Sequence, residues 1–287
     1  MSVRAATLIG CGAIVLWALL AVLTAATGRI PPFQLAAMAF AIGGGVGAAT
    51  FLARPGAVRA LRQRPQVWFV GLGGLFGYHA LYFAALRLAP PAEAGLIAYL
   101  WPLLLVLFTA LLPGENLRAA HIIGSLLGLM GVVVLVVGGG GLTLRADALP
   151  GYLLALCCAF VWSGYSVLSR RFGEVPTDAV AGFCLATAVL AAICHTLFEQ
   201  TLWPADFGQW LAVLALGLGP VGLAFYLWDI GVKRGDLRLL GVVSYVAPPL
   251  STLILVLAGF ARAEWSLGVA AALIAIGALI AARAGGR

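Results

Sequence analysis

The chain has 287 residues, of which 63% are hydrophobic and 9% charged, with a formal net charge of +7. A soluble globular protein carries about 25% charged residues, so this composition excludes a water-facing surface and predicts an integral membrane protein. The positive balance does not argue for a nucleic-acid partner, because the basic side chains sit in short connections between apolar runs.

A spanning helix needs about 20 mainly apolar residues. Ten segments meet that demand: 5–26, 32–53, 67–87, 91–112, 118–138, 150–169, 178–198, 209–230, 238–260 and 265–284. The first follows Arg4 but is longer than the roughly 7–15 apolar residues of a secretory signal, so it is read as a span. Trp17 lies near its middle, away from the headgroup belt where tryptophan is usually enriched. The third span carries Tyr78, His79 and Tyr82 on one helical face with Leu75 and Leu86. Polar groups without partners in hydrocarbon are costly, so this face predicts a polar, aromatic wall of a substrate path. An interhelical hydrogen bond is the plainer alternative, above all for His79.

The fourth span holds Tyr99, Trp101 and Pro102. Proline has no N–H, so the carbonyl of Ala98 loses its helical donor and a kink is expected. Tyr99 and Trp101 lie about 200° apart on an ideal helix, so one faces away unless the kink turns it. The sixth span repeats the deep tryptophan with Trp162, and Tyr165 shares its face. In the ninth span Pro248 and Pro249 free the carbonyls of Ser244 and Tyr245. Such carbonyls at mid-depth suit a substrate ammonium, and Pro102, Pro248 and Pro249 are candidate hinges. Trp68, Trp203, Trp210 and Trp265 fall near span ends, as interfacial anchors do. Gly43/Gly47, Gly73/Gly77 and Gly124/Gly128 have the spacing of close helix packing.

An internal echo runs through the chain. Shifted by 146, LYFAALRLAPPAEAGLIAYLWP overlies YLWDIGVKRGDLRLLGVVSYVAPP, pairing Tyr82 with Trp228, Tyr99 with Tyr245 and Pro102 with Pro248. Trp17 and Trp162 pair with a shift of 145. Two repeats are therefore expected, residues 1–140 and 141–287. Each has five spans, an odd number, so the second enters the membrane from the opposite side. Inverted repeats of this kind place substrate near the midplane between the halves.

Lysine and arginine segregate accordingly. Only Arg29, Arg87, Arg145 and Arg262 fall on one side; the rest of the 17 fall on the other, which the positive-inside rule makes cytoplasmic together with both termini. No Asp, Glu, Lys or Arg is placed near the middle of a span, and Asp229 and Lys233 are read as interfacial. A carboxylate-driven multidrug antiporter and a phosphate-bearing exchanger both need fixed charge at depth, and both are disfavoured. A net-neutral zwitterion moving by facilitated diffusion fits better, with His79 the one deep titrating group. The five cysteines lie in apolar runs without CxxC or Cys/His metal spacing, so no disulfide, metal or cofactor is expected. The histidines His79, His121 and His195 fall in separate spans, which argues against a membrane-embedded enzyme.

Ten short spans, the five-plus-five plan and proline in the fourth and ninth helices resemble the drug/metabolite transporter superfamily, in its EamA-type branch. LWALLAVLT, GYHALYFAALRLAPPAEAGLIAYLWPLLLVLF, LRAAHIIGSLLGLMGVVVLV and SYVAPPLSTLILVL carry the likeness. The resemblance implies a basket of ten helices around a central cavity in a bacterial inner membrane. It implies export of amino acids, aromatic ones included, with flat cations such as viologens as the alternative cargo. A monomer is expected, in contact with membrane lipid, and a non-transporting scaffold is the reading of another class.

Overall fold

The computed structural model describes residues 1–114, 117–138 and 145–285; the expected boundary at 140/141 lies outside them. Among the described residues ten helices are long and apolar enough to cross a membrane. They are Val3–Ala26, Pro32–Ala53, Pro65–Leu88, Pro91–Leu111, Ala119–Gly138, Ala146–Arg171, Ala179–Phe198, Phe207–Arg234, Leu237–Leu257 and Trp265–Arg283. The chain is an all-α, multi-pass membrane protein. Large apolar side chains such as Leu8, Leu52, Phe69, Phe207 and Leu257 stand exposed on its outside, where acyl chains replace water.

Local chemistry sets the helix ends. Pro32, Pro65 and Pro91 occupy first-turn positions, where a fixed φ helps and a missing N–H costs nothing. The Asp206 side chain accepts from the N–H of Gln209, so the eighth span starts at Phe207. Asp236 accepts from the N–H groups of Arg238 and Leu239 and opens the ninth.

The helices pair across the two halves: first on eighth, third on sixth, second on seventh, fourth on ninth and fifth on tenth. Exchanging each span for its counterpart five places on turns first-on-eighth into sixth-on-third and leaves the last three pairs unchanged. Glycine permits the closest approaches. A Cβ at Gly124 would lie 2.6 Å from the carbonyl oxygen of Gly277, and one at Gly43 would lie 2.6 Å from the Cα of Gly222.

The helical irregularities repeat as well. The third span widens into a π-helical turn at Gly73–Gly77, and the eighth does so at Gly219–Leu223. The fourth is broken between Ala98 and Trp101, and the ninth tightens into a 3₁₀ turn at Ser244–Val246. The offset from Gly73 to Gly219, and from Tyr99 to Tyr245, is the 146 residues of the sequence echo. Gly73 and Gly77 correct the packing expectation: a Cβ at Gly73 would meet nothing within 4 Å, and one at Gly77 only the Leu72 carbonyl at 4.0 Å. They frame the wide turn instead of a helix contact.

Candidate functional site: an aromatic centre between the halves

The third span brings Tyr78, His79 and Tyr82 to the middle of the molecule. Tyr78 stacks on Tyr82 with centroids 6.0 Å apart and planes 9° apart, and its ring lies 5.5 Å from Trp162. His79 Nδ1 is 2.7 Å from the carbonyl oxygen of Leu75, inside the wide turn. A carbonyl only accepts, so Nδ1 carries the proton in this contact. Phe40 packs edge-on against the imidazole at 5.1 Å, and Phe83 and Phe225 complete its surroundings. The three polar rings stay half-buried amid these neighbours. The third span also has the smallest buried share of the ten, as a helix accessible on two sides would.

Trp162 is the hub. Its ring meets Trp17 at 5.5 Å, Trp101 at 6.2 Å, Tyr165 at 5.2 Å, Phe225 at 6.0 Å and Trp228 at 6.1 Å. Two of the deep indoles find hydrogen-bond partners on neighbouring helices. Trp17 Nε1 donates to the carbonyl of Pro220 in the wide turn of the eighth span, at 3.1 Å. Trp228 Nε1 donates to Ser166 Oγ, also at 3.1 Å. The break after Ala98 turns Trp101 toward the cluster, 5.8 Å from Trp228, and Ser163 Oγ lies 2.7 Å from the Trp101 carbonyl. Tyr99, within the break itself, stays half-buried beside Leu103 and Val246.

Other expected site residues are placed elsewhere. Tyr245 is fully buried, and its hydroxyl accepts from the N–H of Leu103 at 3.1 Å. It thereby caps the second half of the broken fourth span. Ser244 Oγ donates to the Leu240 carbonyl of its own helix at 2.7 Å. Pro102 stands at the start of the helix that follows the fourth-span break, and Pro248 and Pro249 stand just past the 3₁₀ turn of the ninth.

Trp228, at 0% exposure, is the central residue the sequence reasoning passed over. The internal echo pairs it with Tyr82 and so held the signal. Asp229 and Lys233 stand near the end of the eighth helix, which runs to Arg234, and the structure adds that both side chains are buried, at 3% and 6% exposure. Among the described residues no three His, Cys, Asp or Glu side chains come together as metal ligands do.

The profile of the EamA-like transporter family matches residues 4–137 and again 149–283. The chain belongs to the EamA-like transporter family, and is a transporter and not an enzyme. It is 61% identical over 282 residues to the aromatic amino acid exporter YddG of Ancylobacter novellus, covering 98% of both chains. It is 27% identical to the YddG exporter of Salmonella typhimurium, over 98% of this chain and 97% of that one. A solved crystal structure superposes with a TM-score of 0.94 at 61% identity, covering 98% of this chain and 97% of the other.

Proposed function

We propose that the protein exports aromatic and other neutral amino acids across a bacterial inner membrane, with both termini in the cytoplasm. The observation that carries this reading is the aromatic centre. Tyr78, Trp101, Trp162 and Trp228 converge where the halves meet, with no ionisable carboxylate or ammonium among them. Flat side chains gain about 0.5–1.5 kcal/mol per well-placed aromatic pair, and a net-neutral zwitterion leaves no stranded charge. The names of the Ancylobacter and Salmonella relatives point to the same cargo. The five-plus-five plan supports two oppositely inserted halves, residues 1–140 and 141–287, that rock about the cluster. The broken fourth and ninth spans, with Pro102, Pro248 and Pro249, supply the flexible joints. No carboxylate packs among the rings of this cluster, and cargo moves down its own gradient.

Purified protein in liposomes should accumulate labelled phenylalanine in counterflow, with and without a pH gradient. Transport that runs only with the gradient would overturn facilitated diffusion. Preference for viologens over every amino acid in competition would replace the cargo.

A further inference from the structure

Between the aromatic centre and the arginine-rich end, the third, sixth, seventh and eighth spans leave a crevice of about 10 Å³, with Asp229 and Lys233 on its wall. That is room for one water. Tyr165 links the crevice to the centre, its ring being 5.2 Å from that of Trp162. Lys233 Nζ lies 2.8 Å from Asp229 Oδ1 and 2.9 Å from Oδ2, and it donates to the Val175 carbonyl at 2.8 Å. Thr177 Oγ1 donates to Asp229 Oδ2 at 2.6 Å. Val175 and Thr177 belong to the connection between the sixth and seventh spans. The end of the eighth span is thus fastened to that connection by fully paired groups.

The internal echo supplies a counterpart at the opposite end. Asp229 and Lys233 correspond to Phe83 and Arg87 with the shift of 146, and Asp178, beside Thr177, corresponds to Phe33 with the shift of 145. There Phe33 meets Phe83 edge-on with centroids 5.2 Å apart, and Arg87 Nη2 stands 3.8 Å from Glu199 Oε1, its side chain 56% exposed. One end is closed by a buried, hydrogen-bonded ion pair. The equivalent place at the other end is closed by two rings and a long, exposed contact.

We propose that Asp229, Lys233, Thr177 and the Val175 carbonyl form a gate latch at the arginine-rich end, with Phe33 and Phe83 as its lighter counterpart opposite. This rests on the reading of two rocking halves. The latch opens as the eighth span parts from the connection before the seventh, which takes Val175 and Thr177 away. Asp229 and Lys233 are four residues apart on one helix, so they stay paired with each other throughout. No charge is stranded on opening, whereas a lone buried charge would forbid the move. The difference between the ends sets the resting state: shut at the arginine-rich face, and first to part at the rings.

The test is sided thiol labelling in proteoliposomes. The five native cysteines are replaced by alanine, and one cysteine is added by Ser169→Cys in the crevice or by Leu86→Cys beyond the wide turn of the third span. A membrane-impermeant methanethiosulfonate probes each from its own face. Asp229→Asn and Lys233→Met should each speed labelling of Ser169→Cys from the arginine-rich face about ten-fold or more, the scale of a lost charged hydrogen bond. Thr177→Val leaves both charges paired and should speed it about three-fold or more; it decides the matter if the charge variants fail to fold. In the same backgrounds Leu86→Cys should label about two-fold or more slowly from the opposite face, because population gained by one open state is lost by the other. Unchanged labelling of Ser169→Cys in every folded variant overturns the latch. Faster labelling there with Leu86→Cys unaffected makes the pair a local brace and overturns it too. With the latch intact, rates at both positions that excess phenylalanine leaves unchanged overturn the rocking reading itself, a result obtained without any latch variant.

Discussion

The indole N–H of Trp17 donates to the carbonyl oxygen of Pro220 at 3.1 Å, tying the middle of the first span to the wide turn of the eighth. In hydrocarbon no water can take over that carbonyl. Trp17→Phe keeps a ring in place and removes the donor, so loss of this one hydrogen bond should cost about 0.5–1.5 kcal/mol. A lowered unfolding midpoint in detergent would register it; an unchanged midpoint would mean the carbonyl has another partner.

Gly74 is fixed by what faces it. A Cβ there would lie 2.2 Å from Tyr165 Cγ, at the crossing of the third and sixth spans. Gly74→Ala should destabilise by about 1–3 kcal/mol through overpacking. Adding Tyr165→Leu should return part of that loss, giving a favourable coupling in a double-mutant cycle. Strict additivity of the two changes would place the strain elsewhere.

Glu199 closes the end opposite the arginine-rich one, with Arg87 Nη2 3.8 Å from one of its carboxylate oxygens. One carboxylate oxygen accepts from Phe33 N–H at 3.0 Å, and the other accepts from Gln34 N–H at 3.1 Å and meets His195 Nδ1 at 3.0 Å. Glu199→Gln keeps one acceptor and turns an NH₂ toward a donor, for an expected loss of about 1.5–3 kcal/mol. The solvated Arg54–Asp178 pair, at 2.9 Å with Arg54 54% exposed, makes a contrast. Arg54→Ala should cost less than about 1 kcal/mol. Comparable losses in chemical unfolding would refute the ranking.

Tyr245 separates a structural role from recognition. Tyr245→Phe strips the acceptor from Leu103 N–H, so stability should fall by about 1–3 kcal/mol. Half-saturation for phenylalanine should not move. A raised half-saturation at constant stability would return Tyr245 to the substrate path.

Trp162 is where transport should be most sensitive. Trp162→Ala removes the shared partner of Trp17, Tyr78 and Trp228, and amino-acid flux should drop about ten-fold, the scale of one strong aromatic pair. Flux equal to that of the unaltered protein at matched expression would take the cluster out of the path.

Span number and the mid-depth aromatics were legible because hydrocarbon tolerates few polar side chains, and each one kept there stands out. Tyr78, His79, Trp17 and Trp162 announce themselves by depth alone. Trp228 did not, because near a span end a tryptophan reads as an interfacial anchor, and only the longer eighth helix carries it inward. Only the burial of Asp229 and Lys233 was not legible: a charge pair four residues apart is self-neutralising, so near a helix end it can be buried where a lone charge would face water. Ser244 and Tyr245 were read as free for cargo, yet the backbone groups released by the neighbouring breaks claim them first. No residue pattern distinguishes a wide turn from close packing at Gly73 and Gly77.

Each wide turn holds one residue more than an α-helical turn would. That surplus swivels everything beyond it by about 100°. With Gly73–Gly77 wound tightly, the stripe of Tyr78, His79 and Tyr82 would point a quarter-turn or more away from Trp162, so a single-residue deletion there would aim the same side chains elsewhere. The direction in which this protein shows its rings is thus written in how many residues the turn before them holds, and the matching turn at Gly219–Leu223 sets the bearing of Phe225 and Trp228 by the same rule.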